Sequence, residues 1–489
     1  MELRDTLVGF AEWQGYGHAD RSAAWLRRIE LNRPELEAFR AAVVPEGAPY
    51  AVNATALTPA DGVETGGPVR ALDASKALAR ARAMPELNAF THLPEQLESP
   101  RHGILAGVPV AVKDLMQVAG MPLSGGGRAM GRATSTQDCV VVSRLRRAGA
   151  VVIGLANLHE FAYGITSDNP HFGRVLNPEA PARIPGGSSG GCAAAVAAGI
   201  VRFAVGTDTG GSVRVPAACC GIVGFKPSYD ALPRNGVIDL APSLDHVGPM
   251  TRTVEDCATM FAAMLGLDAV PRWMRRDLSG VVAARPRGYF DDPLDPEVAA
   301  ALDDAVKALA RDGARCVEAE AKGVHLAPAI MLNTISPEAT AFHARRLEEH
   351  GAEFGEEVRA RLEMGLFLPG HWYAKAQRMR TQLAANLAAA FGEADVLVCP
   401  TMRAPAPPVG AAQVEIGGKA FALHTAVTNL TAPFNLAGLP AISIPWMLSR
   451  EGVPIAVQLA GKRGQDWRVL SIAQRLAAAS PWHLQQRDA

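Results

Sequence analysis

Apolar positions along the chain follow two rhythms. Up to about residue 46 they recur at helical spacing: Ala24, Leu26, Ile29 and Leu31 fall roughly on one face, which predicts helices. Residues 47–70 are rich in Pro, Gly, Ala and Thr, show little periodicity and read as a loop or linker. From about residue 103 short apolar runs take over. Residues 104–112 set glycine and proline among β-branched residues, a buried-strand pattern; 151–154 and 203–206 are two more such runs. Between them, 140–148 has helical spacing, and 193–199 is an Ala-rich helix with no polar face, hence a buried one. A mainly helical, more charged stretch over 295–395 precedes strands at 395–400, 440–445 and 455–459. Short apolar strands alternating with helices predict an α/β fold, a single large domain with a central, mostly parallel mixed β-sheet covered by helices. The expected division is N-terminal helices and linker at 1–100 packing on the core, then an α/β domain at 101–489 with a helical excursion at about 270–394.

Composition narrows the function. With 48% hydrophobic and 20% charged residues the 489-residue chain has ordinary globular composition, which excludes disordered, collagenous and disulfide-scaffold classes. Lys plus Arg number 48 against 49 Asp plus Glu. This balance gives no general attraction to nucleic acid or to an anionic membrane surface. The apolar run at 192–201 is far short of the roughly 20 residues that span a bilayer. Met1, Glu2, Leu3, Arg4 and Asp5 carry charge too early for a signal peptide, so none is expected. Seven scattered cysteines without a CxxC pair read as reduced, mostly buried thiols. The expected location is cytoplasmic.

Glycine is abundant (47 residues) while aromatics are only 6%, and the glycines cluster. One cluster is Gly186, Gly187, Ser188, Ser189, Gly190 and Gly191, at the start of the buried helix. A second, Gly206, Thr207, Asp208, Thr209, Gly210, Gly211 and Ser212, follows the strand at 203–206. A third, Ser124, Gly125, Gly126 and Gly127, lies just after Lys113 and Asp114. In open α/β sheets ligands bind beyond the carboxyl ends of strands, where glycine runs let backbone N–H groups converge. A phosphate cradle is disfavoured, because neither GxxxxGK[ST] nor GxGxxG occurs there. A nucleophile elbow matches G-x-S-x-G at Ser188, but Pro185 and a loop precede it where a strand is required. The Asp245–His246 pair that would complete it also lies too early and too close together for the usual Ser, Asp, His arrangement. The third reading is a serine nucleophile with a lysine base. A serine hydroxyl needs a base, and a lysine serves only when burial keeps its amine neutral. Lys113 ends the apolar run 108–112 and is the only lysine between Lys76 and Lys226. The competing reading is a surface pair with Asp114. His159, His171 and His246 have no metal-ligand spacing and read as structural or pocket-lining, and Cys192, in the buried helix, reads as inert.

The segment from Gly186 through Pro216 resembles the signature segment of the amidase signature family, and 107–114 resembles that family's lysine strand. The spacings agree: Ser212 lies 24 residues after Ser188, and Ser188 lies 75 after Lys113. The resemblance runs over about 103–267 and 395–461 and is weak over 1–100 and 270–390. It implies an acyl-enzyme amide hydrolase with a Ser-cis-Ser-Lys triad. Ser212 would be the nucleophile and Ser188 the bridge, behind a cis Gly187–Ser188 peptide, with Lys113 as the base. It implies an oxyanion hole from the backbone N–H groups of Thr209, Gly210, Gly211 and Ser212, with Ser189, Asp208 and Arg214 in support. Gly125, Gly126, Gly127, Ala162 and Tyr163 are expected to line the substrate site. Met331, Leu332, Phe342, Phe367 and Trp372, in the helical excursion, are expected either to shape its channel or to be helix core. No metal or cofactor is expected. The expected partner is a small-molecule amide, apolar or aryl by preference, with neither nucleic acid nor membrane. Relatives are often homodimers. Two alternatives stand beside this: the glutamine-hydrolysing subunit of a tRNA-dependent amidotransferase, and a non-catalytic scaffold, against which the intact Lys113, Ser188 and Ser212 argue.

Overall fold

The short apolar runs become strands of one sheet. The computed structural model describes residues 3–13, 19–42, 57–60, 62, 73–99 and 102–482, so most of the expected linker at 47–70 lies outside the described residues. In chain order the strands are β1 (Phe90–His92), β2 (Pro109–Lys113), β3 (Val151–Ala156), β4 (Phe203–Asp208), β5 (Val223–Lys226), β6 (His246–Thr251), β7 (Val282–Arg287), β8 (Arg315–Glu320), β9 (Val396–Pro400), β10 (Gln413–Ile416), β11 (Lys419–Ala422), β12 (Ala441–Leu448) and β13 (Pro454–Gly461). Eleven of them form a mixed sheet in the order β1-β3-β2-β4-β6-β5-β12-β13-β9-β7-β8, and β10 and β11 make a separate hairpin. β3, β2 and β4 are mutually parallel, as are β9, β7 and β8, and the pairs joining these two groups are antiparallel.

The inner strands are apolar throughout because both faces are covered, as parallel sheets require. Every residue of β2, β3, β4 and β6 is buried. Val110, Val112, Phe203 and Val205 enter one core, and Ala111, Ile153 and Ala204 enter another, with the helix Gly190–Ala197. That helix is buried at every position, as its lack of a polar face predicts. It approaches very closely: a Cβ on Gly191 would lie 2.3 Å from the Asn157 carbonyl oxygen, so only glycine fits there.

The stretch 270–394, expected to be a helical excursion, holds the long helices Ala327–His350 and Gly370–Phe391 but also supplies β7 and β8. β8 is the edge strand, with Arg315 and Glu320 exposed. Charges on an edge strand are common, and they mask the apolar alternation that would reveal it. Near the N-terminus Leu31 is 54% exposed, whereas Ala24 and Trp25 are buried.

Candidate active site

Because β2, β3 and β4 are parallel, their carboxyl ends share one edge of the sheet. Lys113 is the last residue of β2 and Asp208 the last of β4. The Lys113 side chain is completely buried. Its Nζ donates to Ser188 Oγ at 2.7 Å and to Thr207 Oγ1, on the neighbouring strand, at 2.8 Å. Burial brings its pKa down to about 7, against the opposing pull of Cys192, Asp208 and Asp245. The surface pair with Asp114 does not exist: Asp114 is buried and accepts instead from Thr91 Oγ1 (2.8 Å) and from Ser124 Oγ (2.5 Å) and amide (3.1 Å). Ser188 follows a cis Gly187–Ser188 peptide.

Ser212 lies in the loop between β4 and the helix Arg214–Cys219 and lines a cavity together with Thr209 and Gly210. The Ser189 amide donates to the Ser212 carbonyl at 3.3 Å, and its hydroxyl to the Thr207 carbonyl at 3.2 Å rather than to a side chain of the expected triad. Among the described residues no protein acceptor takes the amides of Gly210, Gly211 or Ser212. Gly211 has φ +141°, and a Cβ there would lie 2.3 Å from Thr431 Oγ1, the hydroxyl that holds the Gly210 carbonyl at 2.6 Å. The loop is therefore fixed by its carbonyls while its N–H groups stay available.

The loop is clamped from beneath. Arg214 and Asp208 are both fully buried and share two hydrogen bonds of 3.0 Å. Arg214 also donates to Gln458 Oε1 (2.6 Å), Asn435 Oδ1 (2.6 Å) and the Thr431 carbonyl (3.0 Å). Burial alone would raise the Asp208 carboxyl, but the Arg214 guanidinium overrides it and holds the group below the usual carboxylate range. Thr207, Thr431, Asn435 and Gln458 were not singled out in the sequence. Thr207 sits inside the second glycine cluster and could have been; the other three come from distant segments with no local motif.

The cavity has a volume of about 580 Å³. Ala162 and Tyr163 line it as expected, Ala162 in the left-handed region with φ +59°. Gly125, Gly126 and Gly127, expected as another wall, are not among the lining residues. They pack behind it, where a Cβ would lie 2.6 Å from the Phe161 ring at Gly125 and 2.7 Å from Leu158 at Gly126; their smallness makes room for those side chains. Met331 and Leu332 line the cavity. Phe342, Phe367 and Trp372 do not: Phe342 lies under Arg346, Phe367 packs against Trp25 and Trp372 against Phe39. Arg28, Leu31 and Arg361, unforeseen from the sequence, also line it.

Burial lowers the pKa of His159, to about 4, and those of His171 and His246. Each has a local partner: Thr166 Oγ1 (3.2 Å) for His159, Glu160 (2.8 Å) for His171 and the Leu244 carbonyl (2.6 Å) for His246. Burial pushes the Cys192 thiol up to about 12, so it carries no thiolate. All seven cysteines are free, and six are buried. Among the described residues no cluster of His, Cys, Asp and Glu could hold a metal, and no helix is long and apolar enough to cross a membrane.

The sequence profile of the Amidase family matches residues 71–470. A glutamyl-tRNA(Gln) amidotransferase subunit from Methylococcus capsulatus is 37% identical over 445 residues, 83% of this chain and 88% of that protein. A crystal structure of an amidase superposes with a TM-score of 0.77 at 34% identity, over 83% of this chain and 95% of the other. The crystal structure of a glutamyl-tRNA(Gln) amidotransferase subunit from Thermotoga maritima gives 0.73 at 32% identity, over 84% and 91%.

Proposed function

The chain belongs to the amidase family and is an enzyme that hydrolyses carboxylic amide C–N bonds; we propose that it does so through an acyl-enzyme built on Ser212, Ser188 and Lys113. Neutral Lys113 takes a proton from Ser188 as Ser188 takes one from Ser212. The Ser212 Oγ then bonds to the amide carbonyl carbon. Charge moves onto the carbonyl oxygen, which the N–H groups of Thr209, Gly210, Gly211 and Ser212 receive; one such donor typically accounts for ~10²–10³ in rate. The C–N bond breaks as the proton returns through Ser188 to the leaving nitrogen. Water, deprotonated along the same path, releases the acid and regenerates Ser212. Ser189, Asp208 and Arg214 hold the loop. Every proton moves between groups of the chain, the substrate and water, so the scheme calls for no metal or cofactor. The observation that carries this reading is a fully buried lysine, at about 7, bonded to Ser188 at 2.7 Å.

The proposed substrate is a small-molecule amide taken up by a stand-alone enzyme or a homodimer, without nucleic acid. Relatives named as amidotransferase subunits favour a second reading, in which glutamine is the amide and a second protein takes the ammonia. One panel separates them. Short aliphatic to aryl amides and glutamine are offered to the purified chain, with released ammonia and amine both measured. Turnover across several small amides supports the first reading; glutamine-only turnover with a co-purifying protein supports the second. Ser212→Ala is expected to abolish turnover, and Lys113→Ala to come close to it. A larger loss in His246→Ala than in Lys113→Ala overturns the triad.

A further inference from the structure

The cavity that Ser212 lines carries a cation with no partner among the described residues. Arg28 comes from the helix Ser22–Leu31, outside residues 71–470 that match the family. It lines the cavity, and among the described residues its guanidinium makes neither a hydrogen bond nor an ion pair. Arg28 is half-buried, and a guanidinium that gives up part of its hydration without gaining an acceptor is unfavourable. Burial and the charge of Arg361 bring Arg28 down to about 9 against the weaker opposing pull of Tyr163, Glu357 and Glu35, none of which bonds to it.

Among the described residues no other charged group on this cavity is bonded to Arg28. Arg361 is bonded to Glu357 at 2.7 Å and lies over the Tyr163 ring at 5.6 Å. Burial raises the Glu35 carboxyl against the opposing pull of Thr425 and Arg28, and its Oε2 is buried without a hydrogen-bond partner among the described residues. His424 is held neutral, at about 3, by burial and the two arginines. Asp168 and Arg174 complete the ionisable lining and make no ion pair with Arg28. Leu31, Met331, Leu332 and Met364 give the cavity apolar walls, beside polar groups such as Ser336, Thr428 and Asn429.

We infer that Arg28 is a specificity residue that receives a carboxylate on the substrate, so that the preferred amide carries an anionic group on an apolar body. The planar fork of a guanidinium matches a carboxylate with two parallel hydrogen bonds, which a neutral isostere cannot accept. This rests on Ser212 acting in the same cavity, as proposed above.

The test uses matched amides that differ only by a methyl group or a carboxylate: butyramide against succinamate, and 4-methylbenzamide against terephthalamate. In the parent enzyme kcat/KM is expected to favour the carboxylate of at least one pair by tenfold or more. In Arg28→Gln that ratio falls about tenfold to a hundredfold, mostly through KM, and Arg28→Lys restores part of it. Binding of succinamate and terephthalamate to Ser212→Ala, measured by calorimetry, gives a readout independent of turnover and weakens on adding Arg28→Gln. Preference for the neutral member of both pairs, or ratios and affinities unmoved by Arg28→Gln, overturns the inference. Carboxylate binding that depends on Arg28 without hydrolysis of any amide overturns the triad instead and leaves the anion site standing.

Discussion

At the scale of single residues the mechanism turns on one amine. Lys113 has a pKa of 10.5 in free chain and about 7 where it is buried, because the loss of water outweighs the pull of Cys192, Asp208 and Asp245. A base works only when unprotonated, so kcat/KM is expected to rise with pH through about 7 and level off above it. The same shift has a sign for stability. Between about 7 and 10.5 the unfolded chain holds a proton that the folded chain lacks. Stability from this group is therefore complete above 10.5, falls as pH drops through that window, and is lowest below 7. Lys113→Met keeps the length and removes the amine. It is expected to abolish activity yet melt above the parent at pH 7, with the gap narrowing toward pH 10. Thermal scans across that range check it, and a gap independent of pH contradicts the buried neutral lysine. The triad candidates were legible in the sequence because their chemistry lies in residue types at fixed spacing. Arg28 and Leu31 were not, because nothing local tells a helix residue that a cavity formed by residues roughly 130 to 400 positions away will lie beside it.

At the scale of elements, the loop after β4 is held by its two ends. Asp208 closes the strand and Arg214 opens the next helix, and their double hydrogen bond ties the ends together six residues apart. Thr431, Asn435 and Gln458 fix the pair to the helix Ala432–Leu436 and to β13. Removing one member of a buried pair leaves a charge without compensation, which typically costs ~3–5 kcal/mol. Arg214→Met is expected to destabilise by about that much, and to lower kcat more than KM because the free N–H groups lose their alignment. Urea unfolding with steady-state kinetics measures both; a full loss of kcat at unchanged stability would instead give Arg214 a chemical role. The elements themselves were unevenly legible. β3, β4 and β9 announce themselves as apolar runs buried on both faces. β8 does not, because an edge strand with no buried residue has charges where a period-two pattern is sought.

At the scale of the whole molecule, helices within the first 41 residues close one side of the cavity although the family match starts at 71. They are fastened at a few strong points. Trp25 is buried, donates from Nε1 to Glu363 Oε2 at 2.8 Å and packs against the Phe367 ring at 5.0 Å. Arg21 reaches Glu356 at 2.5 Å and Glu363 at 3.2 Å, and Lys375 donates to the Phe39 carbonyl at 2.7 Å. Glu363 is itself fully buried and is also held by Arg359 of its own helix at 2.8 Å, so the N-terminal helices share in compensating its charge. These fastenings tie the N-terminal helices to the helices Glu356–Met364 and Gly370–Phe391. The sheet, by contrast, is assembled from residue 90 onward, and Arg21 and Trp25 bond to helices rather than to it, although Phe39 shares a buried cluster with Leu397 and Ala441. The two parts are therefore expected to open at different free energies, the N-terminal wall well before the sheet. Replacing a buried Trp by Ala typically costs ~3–5 kcal/mol, concentrated where its contacts are. In Trp25→Ala, amide hydrogen exchange over 19–41 is expected to quicken by at least ~10-fold, while that of β4 and β6 stays as in the parent. KM for any hydrolysed amide should rise in step, with kcat less affected. Uniform acceleration across the sheet would mean that the helices are fused to the core as one cooperative unit. Unchanged exchange and KM would mean that Trp25 does not fasten the wall at all.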